Sequence, residues 1–233
     1  MASKIEWTDY TRNPVKGLCP VGCSYCYARR LYRRFKWNPD IRYDPYWWKD
    51  IAVLRKPGRI FVGSTMELFG EWVKPEWMNS ILEYCRRLPQ HTFIFLTKKP
   101  ENLPREWPDN CWVGVTATEP QAYHEAAVYL SRIRAAVRYV SIEPMLHRFW
   151  IDRIHSCFDW IIIGQQTPVR KSAMPEISWV KEIVQAADQA PITPVFLKDN
   201  LKPLLVECED GIEYAPLWAN GGHGTLRQEM PKL

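Results

Sequence analysis

The sequence predicts an α/β protein: one parallel (β/α) partial barrel of six to seven strands, related to the TIM-barrel architecture in its strand–helix alternation. Three observations predict it. Short apolar runs recur at Ile60–Gly63, Phe93–Leu96, Trp112–Val115, Tyr139–Ile142, Trp160–Ile163 and Val195–Leu197. The runs are continuous rather than alternating, as expected of strands covered on both faces. Segments with apolar residues at helical spacing separate several of them, and that order implies right-handed crossovers and a parallel sheet.

In chain order, a first strand is expected around Lys4–Trp7, followed by a loop through Asn13-Pro14 and Gly17. Ser24 is placed to cap a helix running to about Lys36, stopped by Asn38-Pro39. Such a helix aims its first backbone N–H groups at the preceding loop. Trp77, Ile81, Cys85 and Leu88 mark the next helix, ending before Pro89. Ala122 to Val137 repeats the pattern through Tyr123, Ala127, Leu130 and Ile133, and Trp179, Ile183 and Ala186-Ala187 repeat it before Pro191. The connection Pro100–Asn110 is too short and proline-rich for a good helix. With no linker, low-complexity stretch or sequence repeat, residues 1–206 read as one domain and 207–233 as a C-terminal extension or cap carrying Gly221-Gly222-His223-Gly224.

The chain has 233 residues, 46% of them apolar, with 12 Trp, which fits one sizeable core and argues against disorder. The first ten residues, MASKIEWTDY, lack the apolar stretch of a signal peptide, and no run approaches membrane-spanning length. The expected location is a reducing cytoplasm, where the seven cysteines stay as thiols. Cys85, Cys111, Cys157 and Cys208 lie singly in apolar surroundings and read as core residues. His91, His124, His147, His155 and His223 are scattered, and no Ser–His pair or phosphate-cradling glycine loop stands out.

Chemistry concentrates in Cys19-Pro-Val-Gly-Cys23-Ser-Tyr-Cys26. Thiolates suit zinc or iron–sulfur clusters. A structural zinc site closes with four ligands, yet no fourth cysteine or histidine lies near. Three thiolates on a 4Fe–4S cluster leave one iron open to a small ligand. Zinc or buried structural cysteines remain the alternatives.

The cysteine spacing, with Tyr25 before the last cysteine, resembles the radical S-adenosylmethionine superfamily. The phrase Ile5-Glu-Trp-Thr-Asp9, Asn13-Pro14 and Cys19 to Ala28 resembles a narrower group, phage-associated radical-enzyme-like proteins of unassigned function. That resemblance implies a 4Fe–4S cluster on Cys19, Cys23 and Cys26, S-adenosylmethionine as cosubstrate, and an electron donor such as a flavodoxin or ferredoxin. It implies further that Tyr25 lies near the adenine, and that Ser64 and Glu67, in place of the usual Gly-Gly-Glu, hold the methionyl amino group. Thr97 and Lys98 fall beside the carboxylate, and Thr116 and Thr118 near the ribose hydroxyls. The implied chemistry is reductive cleavage of the sulfonium to a 5′-deoxyadenosyl radical.

The apolar runs end in polar residues: Ser64 to Glu67, Thr97 to Lys99, Thr116 to Glu119, Ser141 to Pro144, Gly164 to Thr167 and Lys198 to Asn200. In parallel barrels that rim carries the active site. Glu143 there is a candidate for ribose or substrate, or else a charge complementing a helix N-terminus; Lys198 is a candidate substrate contact. Gln165-Gln166 departs from the Gly-Glu-rich turn of the resembling group.

The net charge of +5 is modest, but residues 27–59 carry Arg29, Arg30, Arg33, Arg34, Lys36, Arg42, Lys49, Arg55, Lys56 and Arg59 against only Asp40, Asp44 and Asp50, interleaved with Tyr27, Tyr32, Phe35, Trp37, Tyr43, Tyr46, Trp47 and Trp48. That pattern reads either as a nucleotide or nucleic-acid surface or as a solvated helix face beside core aromatics. The expected function is therefore a radical enzyme acting on a nucleotide, nucleic acid or other anionic substrate, with a non-catalytic cluster-bearing nucleic-acid binder and a zinc-stabilised module as alternatives.

Overall fold

A computed structural model describes residues 3, 5–189, 191–205, 215–219 and 224–232. The fold class is the predicted one. Strands β1 (Tyr10–Arg12), β4 (Arg59–Val62), β5 (Thr92–Thr97), β6 (Cys111–Thr116), β7 (Val137–Ile142), β8 (Trp160–Ile163) and β9 (Val195–Leu197) form a seven-stranded sheet in the order β1-β4-β5-β6-β7-β8-β9. This order is that of a partial parallel (β/α) barrel. A separate antiparallel pair joins β2 (Val15–Lys16) to β3 (Arg42–Tyr43). The chain divides into two compact units, residues 1–114 with 132–136, and residues 115–131 with 137–233.

In the first unit, β1 pairs with β4 and β4 with β5, both parallel, with Tyr10 opposite Ile60 and Ile60 opposite Phe93. Ile60, Phe93 and Ile94 are fully buried, as the continuous apolar runs require. Helix α1 spans Tyr27–Phe35, α2 Lys49–Ala52 and α3 Pro75–Arg87. Proline at the first position of α3 and Arg86-Arg87 in its last turn are the expected helix punctuation. Its buried face is Ile81, Leu82 and Cys85. Aromatic rings fill the space around β5: Phe95 lies 5.1 Å from Trp107, and Trp47 stands edge-on to Phe93 at 6.3 Å.

In the second unit, β7 pairs with β8 and β8 with β9, again parallel. All four residues of β8 are buried. Helices α4 (Pro120–Leu130), α5 (Ile177–Ala187) and α6 (Lys202–Leu205) complete it. The last described residues run antiparallel along the outer strand: Leu197 N donates to Arg227 O at 2.8 Å and Glu229 N to Val195 O at 2.9 Å. Main-chain groups that an edge strand would otherwise expose are thereby paired.

Three expectations need correction. The first strand is β1, not Lys4–Trp7; Lys4 lies outside the described residues, and Thr8 N closes a turn on Ile5 O at 3.0 Å. Trp7 is needed as a buried ring against Phe61, 4.9 Å away, rather than as a ladder residue. Helix α1 is capped by Cys26, not Ser24, because a turn from Cys23 O to Cys26 N uses up the preceding residues. Helix α4 stops at Leu130 instead of running to Val137. The backbone of residue 134 is committed elsewhere, with Arg134 N on Arg105 O at 2.7 Å and Trp107 N on Arg134 O at 3.1 Å. Cys208 and Gly221 to His223 also lie outside the described residues.

Candidate functional site

The first unit assembles most of the predicted residues at the ends of β4 and β5. After Val62 the chain turns at Gly63, whose φ is +85°; an added Cβ would lie 2.7 Å from the Leu68 side chain, so glycine is required twice over. The turn delivers Ser64, Thr65 and Glu67. Asn13, just past β1, braces it by accepting from Thr65 N at 3.0 Å and from Ser64 Oγ at 3.3 Å. Tyr27 Oη donates to Ser64 O at 2.6 Å. From sequence Asn13 reads only as part of a loop and Tyr27 only as one of the aromatics interleaved with the basic segment; neither was placed at the strand-end site, although Asn13 occupies a strand end like the residues that were.

Glu67 is 7% exposed. Its Oε1 accepts Phe69 N at 3.0 Å and Thr97 Oγ1 at 2.7 Å, and its Oε2 accepts Lys98 N at 2.8 Å. Thr97 Oγ1 in turn accepts Lys99 N at 2.8 Å. The Lys98 ammonium lies 6.0 Å from the Tyr25 ring centroid, within cation–π range.

Cys19, Cys23 and Cys26 are free, half-buried thiols. Burial pushes the Cys19 thiol up, against N–H groups of Glu67 and Val21 that favour its thiolate; the Glu67 carboxylate and Cys23 add to the upward push. Cys26 caps α1, its Sγ accepting Arg29 N at 3.4 Å, and the Arg29 guanidinium donates to Cys19 O at 2.7 Å. The donor set suits a soft metal or cluster in its chemistry: three thiols on one loop with no disulfide. Among the described residues, however, no three His, Cys, Asp or Glu side chains converge as for a metal ion.

The second unit carries the other candidates. The register continues one residue past the paired ends, so Glu143, Gly164 and Lys198 form a row. Lys198 Nζ ion-pairs with Glu143 Oε1 across the glycine. A Cβ on Gly164 would sit 3.0 Å from Lys198 Cδ and 3.2 Å from Glu143 Cδ, so the close approach depends on glycine. Thr116 is buried and Thr118 half-buried. Asn200 clasps Gln165, donating to its carbonyl at 2.8 Å and accepting its N–H at 3.2 Å. Gln165 Oε1, Gln166 Nε2 and Ser141 Oγ are buried and have no partner among the described residues. Buried polar atoms left in that state are what a bound polar ligand or water satisfies.

Two further groupings differ from expectation. Cys85 and Cys111 are not isolated: their side chains meet, and burial first, then Cys111, pushes the Cys85 thiol well up. His124 and His155, far apart in sequence, bring Nδ1 and Nε2 to 3.3 Å. Burial and the neighbouring His124 hold His155 below the usual histidine range.

A parallel α/β protein with a thiol-bearing loop against its strand ends is the class this geometry defines. The chain belongs to the family described as "Protein of unknown function (DUF5131)", whose profile matches residues 2–200. No curated protein and no solved structure matches the chain. This assignment corrects the family expected from the cysteine spacing: the family that matches is one of unknown function, no radical S-adenosylmethionine family matches, and among the described residues the three cysteines form no metal-binding group as folded. The physical reason is local. The C-x3-C-x2-C spacing puts three sulfurs on one loop but does not make them converge, and Cys26 directs its sulfur to a helix N–H instead. Among the described residues no helix is long and apolar enough to cross a membrane.

Proposed function

We propose that the protein is an enzyme in which Cys19, Cys23 and Cys26, not gathered as folded here, close around an iron–sulfur cluster when it binds, with S-adenosylmethionine as cosubstrate and a nucleotide, nucleic acid or other anionic molecule as substrate. The metal half of the reading rests on three soft donors on one loop; the cosubstrate and the residue roles are those that the resemblance of the cysteine spacing implies. The observation that carries it is the seating of the cysteine loop. Cys19 interacts with Glu67, and Tyr27 ties the start of α1 to Ser64, so soft donors and the polar ends of β4 and β5 occupy one locality. When bound, a three-thiolate 4Fe–4S cluster offers an open iron to a chelating amino acid and a single electron, from a flavodoxin- or ferredoxin-like donor, to a sulfonium bond.

The chain's residues supply binding and shielding. Lys98 brings a cation to the carboxylate end of an amino-acid moiety, and the Tyr25 ring beneath it offers a face to a flat base. Glu67 and Thr97 hold the turn that presents Ser64. The Glu143–Lys198 pair offers one charge of each sign to substrate, beside the unpartnered Gln165 and Gln166 atoms.

The test is anaerobic purification with metal and sulfide analysis, then reduction by dithionite with S-adenosylmethionine and assay of 5′-deoxyadenosine. Iron with sulfide and reductant-dependent 5′-deoxyadenosine are expected. Cys26→Ser keeps an N-cap acceptor, so it is expected to fold and yet lose iron, whereas Cys157→Ser keeps its iron. Tightly held zinc in a colourless protein, or iron indifferent to Cys26→Ser, overturns the proposal. Iron without 5′-deoxyadenosine overturns the catalytic half.

A further inference from the structure

The segment after the cysteine loop carries charge that the loop does not use. No carboxylate occurs between Asp9 and Asp40. Arg33 and Arg34 lie in the last turn of α1 and Lys36 just beyond it, all exposed, and none is ion-paired among the described residues. Lys36 adopts the left-handed conformation, φ 49°, which ends the helix. The turn brings Phe35 and Trp37 together with ring centroids 5.6 Å apart and planes 21° from parallel. These rings are 53% and 44% exposed. Arg34 lies 5.3 Å from the Phe35 centroid. Tyr32 backs Trp37 edge-on at 5.2 Å, and its hydroxyl accepts Gly17 N at 2.8 Å, which fixes the platform to the loop before the cysteines.

Cations at a helix C-terminus complement the helix dipole, but the dipole does not explain two stacked rings left in water. We infer that this end of α1 is a docking surface for single-stranded nucleic acid. Phe35 and Trp37 stack on bases, while Arg33, Arg34 and Lys36 follow the phosphates. Charge complementarity selects the polyanion, and the exposed rings select the single strand, because a duplex keeps its base faces stacked on one another. Helix α1 has nine residues, so the platform stands about 14 Å along its axis from Cys26. A strand held here has its next nucleotides near the thiol loop. The inference narrows the anionic substrate class proposed above, and it is tested without cluster or cosubstrate so that the two fail separately.

The experiment is fluorescence anisotropy of a labelled twelve-nucleotide oligothymidine with the full chain, from about 50 to 200 mM salt. Phe35→Ala is expected to weaken binding about fivefold or more. Replacing Arg33, Arg34 and Lys36 with Gln is expected to flatten the slope of log K against log salt by about 2. A duplex of the same length should bind less tightly. Phe35 is more than half exposed, so its removal should leave the thermal melt unchanged and keep that measurement interpretable. Absence of oligonucleotide binding overturns the inference. So does binding that ignores both variants, a preference for duplex, or variant-sensitive binding to anionic phospholipid vesicles without oligonucleotide binding.

Discussion

The carboxylate of Glu67 accepts the Thr97 hydroxyl at 2.7 Å, in a place where both residues are buried. The same carboxylate takes the backbone N–H groups of Phe69 and Lys98, so one buried charge ties the turn after β4 to the end of β5. The strand ends are therefore positioned by an acid that a sequence reader assigns to ligand binding.

Glu67→Gln replaces one acceptor oxygen by a donor, which must then face an N–H or lose a bond. The expected cost is about 1–3 kcal/mol, the penalty for buried donors left unsatisfied. Urea denaturation measures it, with Thr97→Val expected to cost less. Unchanged stability in Glu67→Gln would show that the carboxylate does not brace the turn.

The Glu143–Lys198 pair should behave as a coupled unit. Both side chains are largely sheltered, at 23% and 15% exposure. Removing either partner leaves a charge in a poorly solvated place, so Glu143→Gln and Lys198→Met should each destabilise more than half as much as the double variant. A double-mutant cycle is expected to return a coupling of about 1–3 kcal/mol. Gly164→Ala, which pushes a methyl between the two, should abolish that coupling.

Acid should weaken the junction of β4 with the chain before β1. The Arg59 side chain, hydrogen-bonded to Asp9, holds that carboxyl below its usual range; burial opposes the shift, and Arg59 N adds to it. A depressed folded-state pKa gives stability that is present above the usual carboxylate pKa and lost as pH falls through the folded value. Because the pair is over one-third exposed, its worth is at most about 1 kcal/mol. Asp9→Asn should be less stable than the native chain at neutral pH by that amount, and the gap should close at the acid end of a denaturation series. A gap that stays constant with pH would assign the loss to packing instead.

Most of the strand positions were legible because burial on both faces leaves continuous apolar runs, and β8, Trp160–Ile163, was read to the residue. Helix ends were less legible. Leu130 ends α4 because residue 134 bonds to residues 105 and 107, a long-range event with no local signal. Cys26 displaced Ser24 as a cap because a turn already occupied the intervening residues. The meetings of Cys85 with Cys111 and of His124 with His155 were invisible in sequence, since spacing says nothing about partners 26 and 31 residues away.

Local composition and period are enough to specify the α/β class, the polar rim at the strand ends and the gathering of three thiols on one short loop. Tertiary structure decided which polar groups face each other: Glu67 turned inward to Thr97 and Lys98, Lys198 reached Glu143 over a glycine, and Cys26 gave its sulfur to a helix N–H. The physical reason is that hydrogen-bond partners are chosen by the geometry of packed strands and turns, which fixes direction and distance, whereas a linear pattern fixes only which chemical groups are present.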